Sequence, residues 1–542
     1  MLQPGLMMDF PLTIPAILRR AAQVFPEKQI ISRLGDGSLH RYTYGDLNRR
    51  VLRLMNVLRD LGVKSGDRVA TFAWNSYRHL ELYFAVPALG AILHPLNIRL
   101  FPEQLLYILQ HAKDRAVFAD RSLAGFFAEH QSALKTVEHY VLMDDCVSSS
   151  VALPTAALDY ETLLAGAREE ACFPVYDENS AASLCYTSGT TGDPKGVLYS
   201  HRSVYLHAMG CCMADSFGIR EQEVVLPVVP MYHANAWGLP YACAMTGATQ
   251  VLPGSQLFGK PLAELMERER VTFAAGVPTI WNLFYQHLQQ HSYDLSHLKV
   301  ILSGGSAISQ SLIANYEREF GIQVLNAWGM TETSPVGSLC RLKAQMEDWP
   351  SEDRLRVRIK QGLPVANLEM RIRNEAGEEL LRDGKEAGEL EVRGPWVARA
   401  YYGSSAADCA FTEDGWFQTG DIATLDADGY MEITDRKKDV IKSRGEWISS
   451  VEMENVVLSH TAILEAAVVG RSDALRGEAP VLYAVLRDPQ QHVAPQELLE
   501  ALKSHFAQWQ LPRLSDIHFV DSLPKTSVGK MDKKALRSGS KE

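Results

Sequence analysis

The run of residues 186–197 constrains the fold of this chain more than any other segment. It places hydroxyl side chains, glycines and one lysine between two apolar segments, 181–186 and 197–199, which read as buried strands. Glycine adopts positive φ at little cost, so successive backbone N–H groups can converge on an anion. The pattern therefore predicts a hairpin loop that cradles phosphate groups.

The side chains of this loop supply further phosphate ligands, because hydroxyls donate hydrogen bonds and lysine adds a compact positive charge. No Gly-x-x-x-x-Gly-Lys-Ser/Thr sequence can be laid on the loop, so it indicates a nucleotide chemistry other than that of P-loop enzymes. A Ser/Thr/Gly linker is the ordinary alternative, which the flanking strands disfavour. The candidate nucleotide-binding residues here are Thr187, Ser188, Gly189, Thr190, Thr191, Gly192 and Lys195.

The composition excludes several classes of protein. At 542 residues the chain is too long for one core, so two or more domains are expected. The net charge of −11 argues against nucleic-acid binding, which usually needs a basic face. The eight cysteines include no Cys-x-x-Cys spacing, which favours reduced thiols. Neither a signal peptide nor a membrane-spanning run is recognisable, so a cytoplasmic protein without a transmembrane segment is expected.

Helical and strand patterns alternate from residue 44 to about residue 303, beginning with a predicted helix over 44–59 and a predicted strand over 68–72. This alternation is typical of α/β layers with largely parallel sheets. Short strands separated by Gly/Asp turns follow after about Pro364, and they indicate a β-rich subdomain. The charged cluster 435–439 then precedes an α+β tail, with strands predicted near 467–469, 481–486 and 517–520. We predict an α/β fold with a large N-terminal adenylation domain, residues 1–435, and a small mobile C-terminal lid domain, residues 436–542.

Six further motifs follow the loop in a fixed order along the chain. They begin at Pro230 (PMYHANAW), Ser303 (SGGS), Trp328 (WGMTET), Gly415 (GWFQTGD), Asp435 (DRKK) and Pro524 (PKTSVGK). Together with the loop, they strongly resemble the acyl-adenylate-forming enzymes, which include acyl-CoA synthetases, amino-acid adenylation domains and firefly-type luciferases. The tracts 442–450 and 97–104 resemble the medium- and long-chain fatty-acyl-CoA synthetase branch.

The resemblance implies how the chain binds its nucleotide. Glu332 and Thr187 would hold Mg²⁺, Thr331 would contact the α-phosphate, and Asp421 would bind the ribose hydroxyls. Without the other motifs, Glu332 reads as a helix cap and Asp421 as a turn residue. The remaining nucleotide-binding candidates are Gly304, Gly305, Asn326, Ala327, Trp328, Arg436, Lys438 and Lys442.

The resemblance also implies the parts that handle the acid and CoA. Lys530 would approach the acyl carboxylate and the α-phosphate, although an isolated lysine here is otherwise an ordinary loop charge. His233, Ala234 and Trp237 would line the acyl channel, with Trp237 as a gate, unless they serve only packing. Lys438 occupies the hinge position, and Trp447 matches a residue on the nucleotide and CoA side.

These expectations define an ATP-dependent acyl-CoA synthetase that activates a carboxylic acid, expected to be a fatty acid, as acyl-AMP and transfers the acyl group to CoA. Its partners are small molecules, with Mg²⁺ as cofactor and ATP and CoA as co-substrates, and related long-chain enzymes are homodimers. His233 stands where amino-acid adenylation domains carry an aspartate, which disfavours that rival. Luciferase-like oxidation, a non-CoA acyl-adenylate-forming enzyme and a catalytically inactive regulator remain alternatives. The sequence does not identify the acid, and short branched and thioether acids are among the alternatives. We expect short- to medium-chain acids rather than the longest ones.

Overall fold

The computed structural model describes residues 5–187, 193–404, 410–443, 446–473, 475–488, 490–525 and 531–539. These residues divide into two compact units. The first comprises residues 5–187, 193–368 and 394–404, and the second comprises 369–393 together with the described residues from 410 onward. The predicted domain boundary at Asp435 falls inside the second unit and stays a prediction.

The strands of the first unit form two large sheets. They are β1 (Gln29–Arg33), β2 (Leu39–Thr43), β3 (Arg68–Phe72), β4 (Ile92–Pro95), β5 (Ala116–Asp120), β6 (His139–Met143), β7 (Leu158–Asp159), β8 (Ala181–Tyr186), β9 (Gly196–Ser200), β10 (Val224–Pro227), β11 (Thr249–Leu252), β12 (Phe273–Gly276), β13 (Val300–Gly304), β14 (Gln323–Gly329), β15 (Val336–Leu339) and β16 (Leu363–Pro364).

Helices cover these sheets. They are α1 (Ile14–Val24), α2 (Tyr44–Asp60), α3 (Tyr77–Ala88), α4 (Pro102–Ala112), α5 (Gly125–His130), α6 (Tyr160–Gly166), α7 (His201–Cys212), α8 (Ala234–Trp237), α9 (Leu239–Thr246), α10 (Gly259–Arg268), α11 (Pro278–Leu288), α12 (Gln310–Phe320) and α13 (Ser351–Arg358).

Both sheets of the first unit are largely parallel. Seven described strands pair in the order β7-β6-β5-β3-β4-β8-β9, and only the β8–β9 pair is antiparallel among them. Nine described strands pair in the order β16-β15-β14-β13-β12-β10-β11-β1-β2, with antiparallel pairs at its two ends. Crossover helices cover both faces of a parallel sheet, so its strands are buried on both sides. The sequences of such strands are therefore continuous apolar runs.

One continuous apolar core connects the two sheets through α1, α2, α3, α7 and α9. Every residue of α3 is buried, which is typical of a helix enclosed on all sides. Its buried carboxylate, Glu81, is paired with Arg50 at 2.7 Å and accepts a hydrogen bond from Tyr160 at 2.5 Å. These partners compensate for the loss of solvent around the charge.

The second unit has its own elements. They are β17 (Glu369–Arg373), β18 (Gly388–Arg393), β19 (Phe417–Leu425), β20 (Met431–Arg436), β21 (Ile441–Ser443), β22 (Glu446–Ile448), β23 (Ile463–Asp473), β24 (Gly477–Leu486), β25 (Ile517–Phe519), α14 (Ser450–Leu458), α15 (Pro495–Lys503) and α16 (Lys533–Gly539).

These elements form two smaller sheets and a separate core. Strands β17 to β20 make an antiparallel sheet in sequential order. The other sheet has the order β22-β21-β24-β23, with β25 parallel to β24, and α14 and α15 contribute to its apolar core. The predicted α/β class with a β-rich subdomain and an α+β tail is confirmed. Among the described helices, none combines the length and apolar character needed to cross a membrane.

Candidate active site

The two ends of the predicted phosphate loop are fixed to each other. Strands β8 and β9 form the antiparallel hairpin that the sequence predicts. At its tip, the Thr187 amide donates to the Lys195 carbonyl at 2.9 Å, and the Lys195 amide donates to Thr187 Oγ1 at 3.1 Å. The predicted ligands Ser188, Gly189, Thr190, Thr191 and Gly192 lie outside the described residues.

Tyr401 connects Glu332 to this hairpin, because it contacts both Glu332 and Lys195. Its carboxylate is 5% exposed, and Oε1 accepts a hydrogen bond from the Tyr401 hydroxyl at 2.7 Å. The ammonium of Lys195 stands 4.5 Å from the centre of the same tyrosine ring, at cation–π distance. Four contacts thus join Thr187, Lys195, Tyr401 and Glu332 into one cluster, whose members come from three separate segments of the sequence.

Two hydrogen bonds to backbone carbonyls hold the turn that carries Glu332. The Tyr199 hydroxyl donates to the Thr331 carbonyl at 2.6 Å, and the Ala398 amide donates to the Glu332 carbonyl at 2.7 Å. The motifs do not mark Tyr401 or the segment that contains Ala398. The run of glycine, proline and aromatic residues at 394–403 was the available signal, because such residues mark a fixed chain path.

The predicted adenine site is built on two neighbouring parallel strands. Gly304 at the end of β13 is paired with Ala327 on β14, and Gly305 adopts a φ of +85°. Trp328 is buried, and its ring fills the space that a side chain at Gly337 would need. The side-chain amide of Asn326 donates to the carbonyls of Ile359 and Lys360, so its nitrogen is engaged within the fold.

The predicted acyl gate lies next to this site. A Cβ atom at Gly304 would lie 3.3 Å from Cη2 of Trp237 and 3.0 Å from the Ala327 carbonyl oxygen. The tip of the indole therefore covers Gly304 beside Ala327. The structure brings together the residues that the motifs predict for adenine recognition and for gating the acyl channel.

Trp237 ends a turn of left-handed helix. Ala234, Asn235, Ala236 and Trp237 have φ values of 43°, 54°, 48° and 58°, and Gly238 continues at 74°. A left-handed conformation costs roughly 1–2 kcal/mol for each residue other than glycine, so the surrounding structure must hold this turn. Nothing in the sequence predicts it, because glycine appears only at its last position.

The chain that leads into the left-handed turn is held by two residues that follow β3, Asn75 in the connection to α3 and Tyr83 in α3. The Asn75 side chain donates to the carbonyls of Pro227 and Val229, both at 2.9 Å, and accepts from the Met231 amide at 2.7 Å. The hydroxyl of Tyr83 donates to the Met231 carbonyl. Both N–H groups and the oxygen of the Asn75 amide thus hold the segment before His233. The His233 side chain is half-buried.

In the second unit, the predicted ribose ligand is a buried carboxylate that forms an ion pair with an exposed arginine. Asp421 on β19 is 1% exposed and stands opposite Arg436 on β20, with an ion-pair distance of 2.7 Å. On the following hairpin, the ammonium of Lys442 lies 2.6 Å from Glu375 and 5.9 Å from the Trp447 ring centre. Lys438 is exposed. Lys530 lies outside the described residues.

The described residues contain no preformed metal site, since no group of three or more His, Cys, Asp or Glu side chains among them is placed to hold an ion. Mg²⁺ in nucleotide enzymes usually keeps several waters and binds one or two protein oxygens together with substrate phosphates. Glu332 and Thr187 supply hard oxygens of this kind. They fit an ion that arrives with the nucleotide.

Two family models cover most of the chain. A model described as AMP-binding enzyme matches residues 18–402, and one described as AMP-binding enzyme C-terminal domain matches residues 452–530. The chain is similar to a long-chain-fatty-acid–CoA ligase from Thermus thermophilus, with 45% identity covering 98% of this chain and 96% of the relative. It is 42% identical to a 3-methylmercaptopropionyl-CoA ligase from Ruegeria lacuscaerulensis, over 99% of each chain.

A solved structure of the same architecture contains the expected intermediate. The o-succinylbenzoate CoA synthetase from Bacillus subtilis, in complex with its acyl-adenylate, has a TM-score of 0.80 and 27% identity to this chain, over 99% of each. The fold, the order of the motifs and the whole-length identity agree with one another. The chain therefore belongs to the AMP-binding enzyme family and is an acid–CoA ligase.

Proposed function

We propose that this ligase activates a fatty or related carboxylic acid with ATP and Mg²⁺ at the cluster around Tyr401, and then transfers the acyl group to CoA. The observation that carries the proposal is the position of the buried Glu332. Tyr401 connects it to Lys195, which follows the phosphate loop. A cation-binding carboxylate and a phosphate-binding ammonium beside one anion-binding loop match the needs of a bound nucleoside triphosphate.

The chemistry of the first step explains why charge dominates this site. A carboxylic acid is already ionised at neutral pH, so it attacks the α-phosphorus of ATP without a general base. One P–O bond forms to the carboxylate oxygen, one breaks to pyrophosphate, and the product is acyl-AMP. An anion must approach a polyanion, and the barrier falls when positive groups surround the phosphates. Lys195 and Lys530 supply such charges, and Thr331 contacts the α-phosphate.

Glu332 and Thr187 would hold Mg²⁺, which supplies neutralising charge to the triphosphate when it is bound. The protein contributes the position of the carboxylate. The Tyr401 hydroxyl bonds to Oε1 of Glu332, and Oε2 would be the oxygen available to the ion.

The remaining candidates have roles on either side of the reacting atoms. Asp421 and Arg436 bind the ribose, and Gly304, Gly305, Asn326, Ala327 and Trp328 form the adenine site. Lys438 acts at the hinge, and Lys442 and Trp447 serve the thioester-forming step. There the CoA thiol sulfur attacks the acyl carbonyl, the C–S bond forms, the thiol proton is lost and AMP leaves. The family resemblance makes a homodimer and a cytoplasmic location the expected assembly and site of action.

The function is tested by the dependence of product release on each substrate. Pyrophosphate release is expected only when a fatty acid and ATP are both present, and AMP release is expected only after CoA is added. AMP release that follows addition of oxygen instead of CoA would support the luciferase-like alternative. An absence of pyrophosphate with every acid would support a regulator that only binds nucleotide.

The wall formed by Ala327 and Trp237 favours short to medium acids. Related long-chain enzymes often carry glycine at the position before the adenine-stacking aromatic, where this chain has Ala327. The bulky indole of Trp237 lies beside it, over Gly304. A methyl group that clashes with a buried tail costs on the order of 1–3 kcal/mol. The relative that acts on 3-methylmercaptopropionate supports short thioether acids as a second candidate.

Replacing Ala327 with glycine is expected to shift the preferred acid toward longer chains. Removing the methyl group should raise kcat/KM for tetradecanoate relative to octanoate by about fivefold or more, in line with the cost of the clash. The measurement is kcat/KM for even-numbered acids from C4 to C16, for wild type and variant. A wild-type optimum at C16 that the substitution does not move would show that this wall does not set the pocket.

A further inference from the structure

The left-handed turn that carries Trp237 is anchored by one buried side chain. Asn235 is 3% exposed, and its Oδ1 accepts hydrogen bonds from Ser183 Oγ at 3.3 Å and from Cys185 Sγ at 3.5 Å. Both donors lie on β8, the strand that ends at Tyr186, immediately before the phosphate loop. Asn235 therefore joins the turn of the acyl gate to the strand that enters the nucleotide site.

The anchor is stable at neutral pH. Burial raises the pKa of the Cys185 thiol to about 12, so the thiol keeps its proton and acts as a donor. Ser183 is fully buried, so water does not compete for its hydroxyl. Asparagine is also the side chain that tolerates left-handed φ best after glycine, because its short polar group bonds locally. Position 235 thus combines a tolerated backbone conformation with two tertiary bonds.

The neighbours of the turn fix its other end. The Cys211 thiol donates to the Trp237 carbonyl at 3.8 Å, and the ring of His207 fills the space that a side chain at Gly238 would need. With both ends held, the indole reaches Gly304 in a fixed direction. A shift of the indole requires a rearrangement of the turn, and the turn is bonded to β8.

We propose that Asn235 is a positioning residue, which holds the Trp237 indole against Gly304 and ties the acyl gate to the strand of the phosphate loop. The inference rests on the proposed roles of Trp237 and of the loop. It predicts that loss of the Asn235 side chain loosens the selection of acid length, while the affinity for ATP changes little.

The test compares Asn235→Gly and Asn235→Ala, alone and combined with Trp237→Ala. Glycine removes the anchor and keeps an easy left-handed backbone, whereas alanine removes the anchor and adds backbone strain. Asn367→Gly is the matched control, because Asn367 is also left-handed, with a φ of 74°, but is exposed. The readouts are kcat/KM for octanoate and tetradecanoate, KM for ATP and the thermal unfolding temperature.

We expect Asn235→Gly to change the ratio of kcat/KM for the two acids by about fivefold, in the range of coupling between contacting residues. The KM for ATP should stay within about twofold, and Asn367→Gly should match wild type. Once Trp237 is alanine, adding Asn235→Gly should leave the ratio unchanged, because the anchor acts through the indole. If Asn235→Gly does not fold, Ser183→Ala removes one of the two donors and should change the ratio in the same direction.

An unchanged ratio in Asn235→Gly, or effects of Asn235→Gly and Trp237→Ala that simply add, would overturn the inference. Failure of the proposed function looks different. In that case, the wild-type enzyme itself would lack acid-dependent pyrophosphate release or CoA-dependent AMP release.

Discussion

Replacing Lys530 with alanine is expected to slow acyl-AMP formation by about 100- to 1,000-fold, the usual cost of removing one group that stabilises charge in a transition state. By resemblance, this lysine approaches the acyl carboxylate and the α-phosphate only in the adenylation step. CoA attack on supplied acyl-AMP should therefore keep most of its rate. The two half-reactions are measured separately, as ATP–pyrophosphate exchange and as thioester formation from synthetic acyl-AMP.

Lys534→Ala is the matched control for this variant. Lys534 is an exposed lysine on α16, a few positions along the chain, and it has the same charge. Its removal should leave both half-reactions at the wild-type rate. Equal loss of both half-reactions in Lys530→Ala would contradict a role confined to adenylation.

Replacing Glu332 with glutamine is expected to lower the rate of adenylation about 100-fold at a fixed Mg²⁺ concentration, since the change removes a negative charge that faces the ion and keeps the shape of the side chain. The Mg²⁺ concentration that gives half of the maximal rate should rise, and excess Mg²⁺ should restore part of the activity. The measurement is pyrophosphate release over a Mg²⁺ titration at saturating ATP and acid.

Tyr401→Phe separates the charge of Glu332 from its positioning. The variant keeps the ring that lies under Lys195 and removes only the hydroxyl that bonds Glu332. A hydrogen bond to a charged group contributes about 1.5–3 kcal/mol, so a loss of roughly 10- to 150-fold is expected. A Glu332→Gln enzyme whose Mg²⁺ dependence matches that of wild type would refute the metal role.

Local pattern was sufficient for much of the fold. The apolar run 68–72 became β3 with the predicted bounds, and the helical spacing from Tyr44 became α2. One strand of the C-terminal tail was predicted much too short: β23 spans Ile463–Asp473, whereas the pattern indicated only 467–469. The residues at the C-terminal end of β23, 470–473, carry no apolar signal. Their strand conformation comes from pairing with β24, a contact that local sequence does not encode.

The site was predictable where a motif carries its own chemistry and not where tertiary contacts define it. The phosphate-loop hairpin is confirmed because its flanking strands are apolar on their own. Tyr401 and Asn75 escaped prediction, since each acts on a residue far away in sequence. The left-handed turn had no local signal either, because its conformation is imposed by packing around Trp237 and by the bonds of Asn235.

The position of the Trp237 indole over Gly304 limits how this enzyme can acquire new substrates. A side chain at Gly304 would press on the gate and, at 3.0 Å, on the carbonyl of Ala327 in the adjacent strand. One substitution there would disturb nucleotide recognition and acid selection together, so natural variation has little room at this position. Engineering for altered chain length should therefore leave Gly304 intact. It should sample the residues that support the turn, where the choice of acid can change without a substitution in the adenine site, and at Ala327 only the change to glycine, which removes a methyl group.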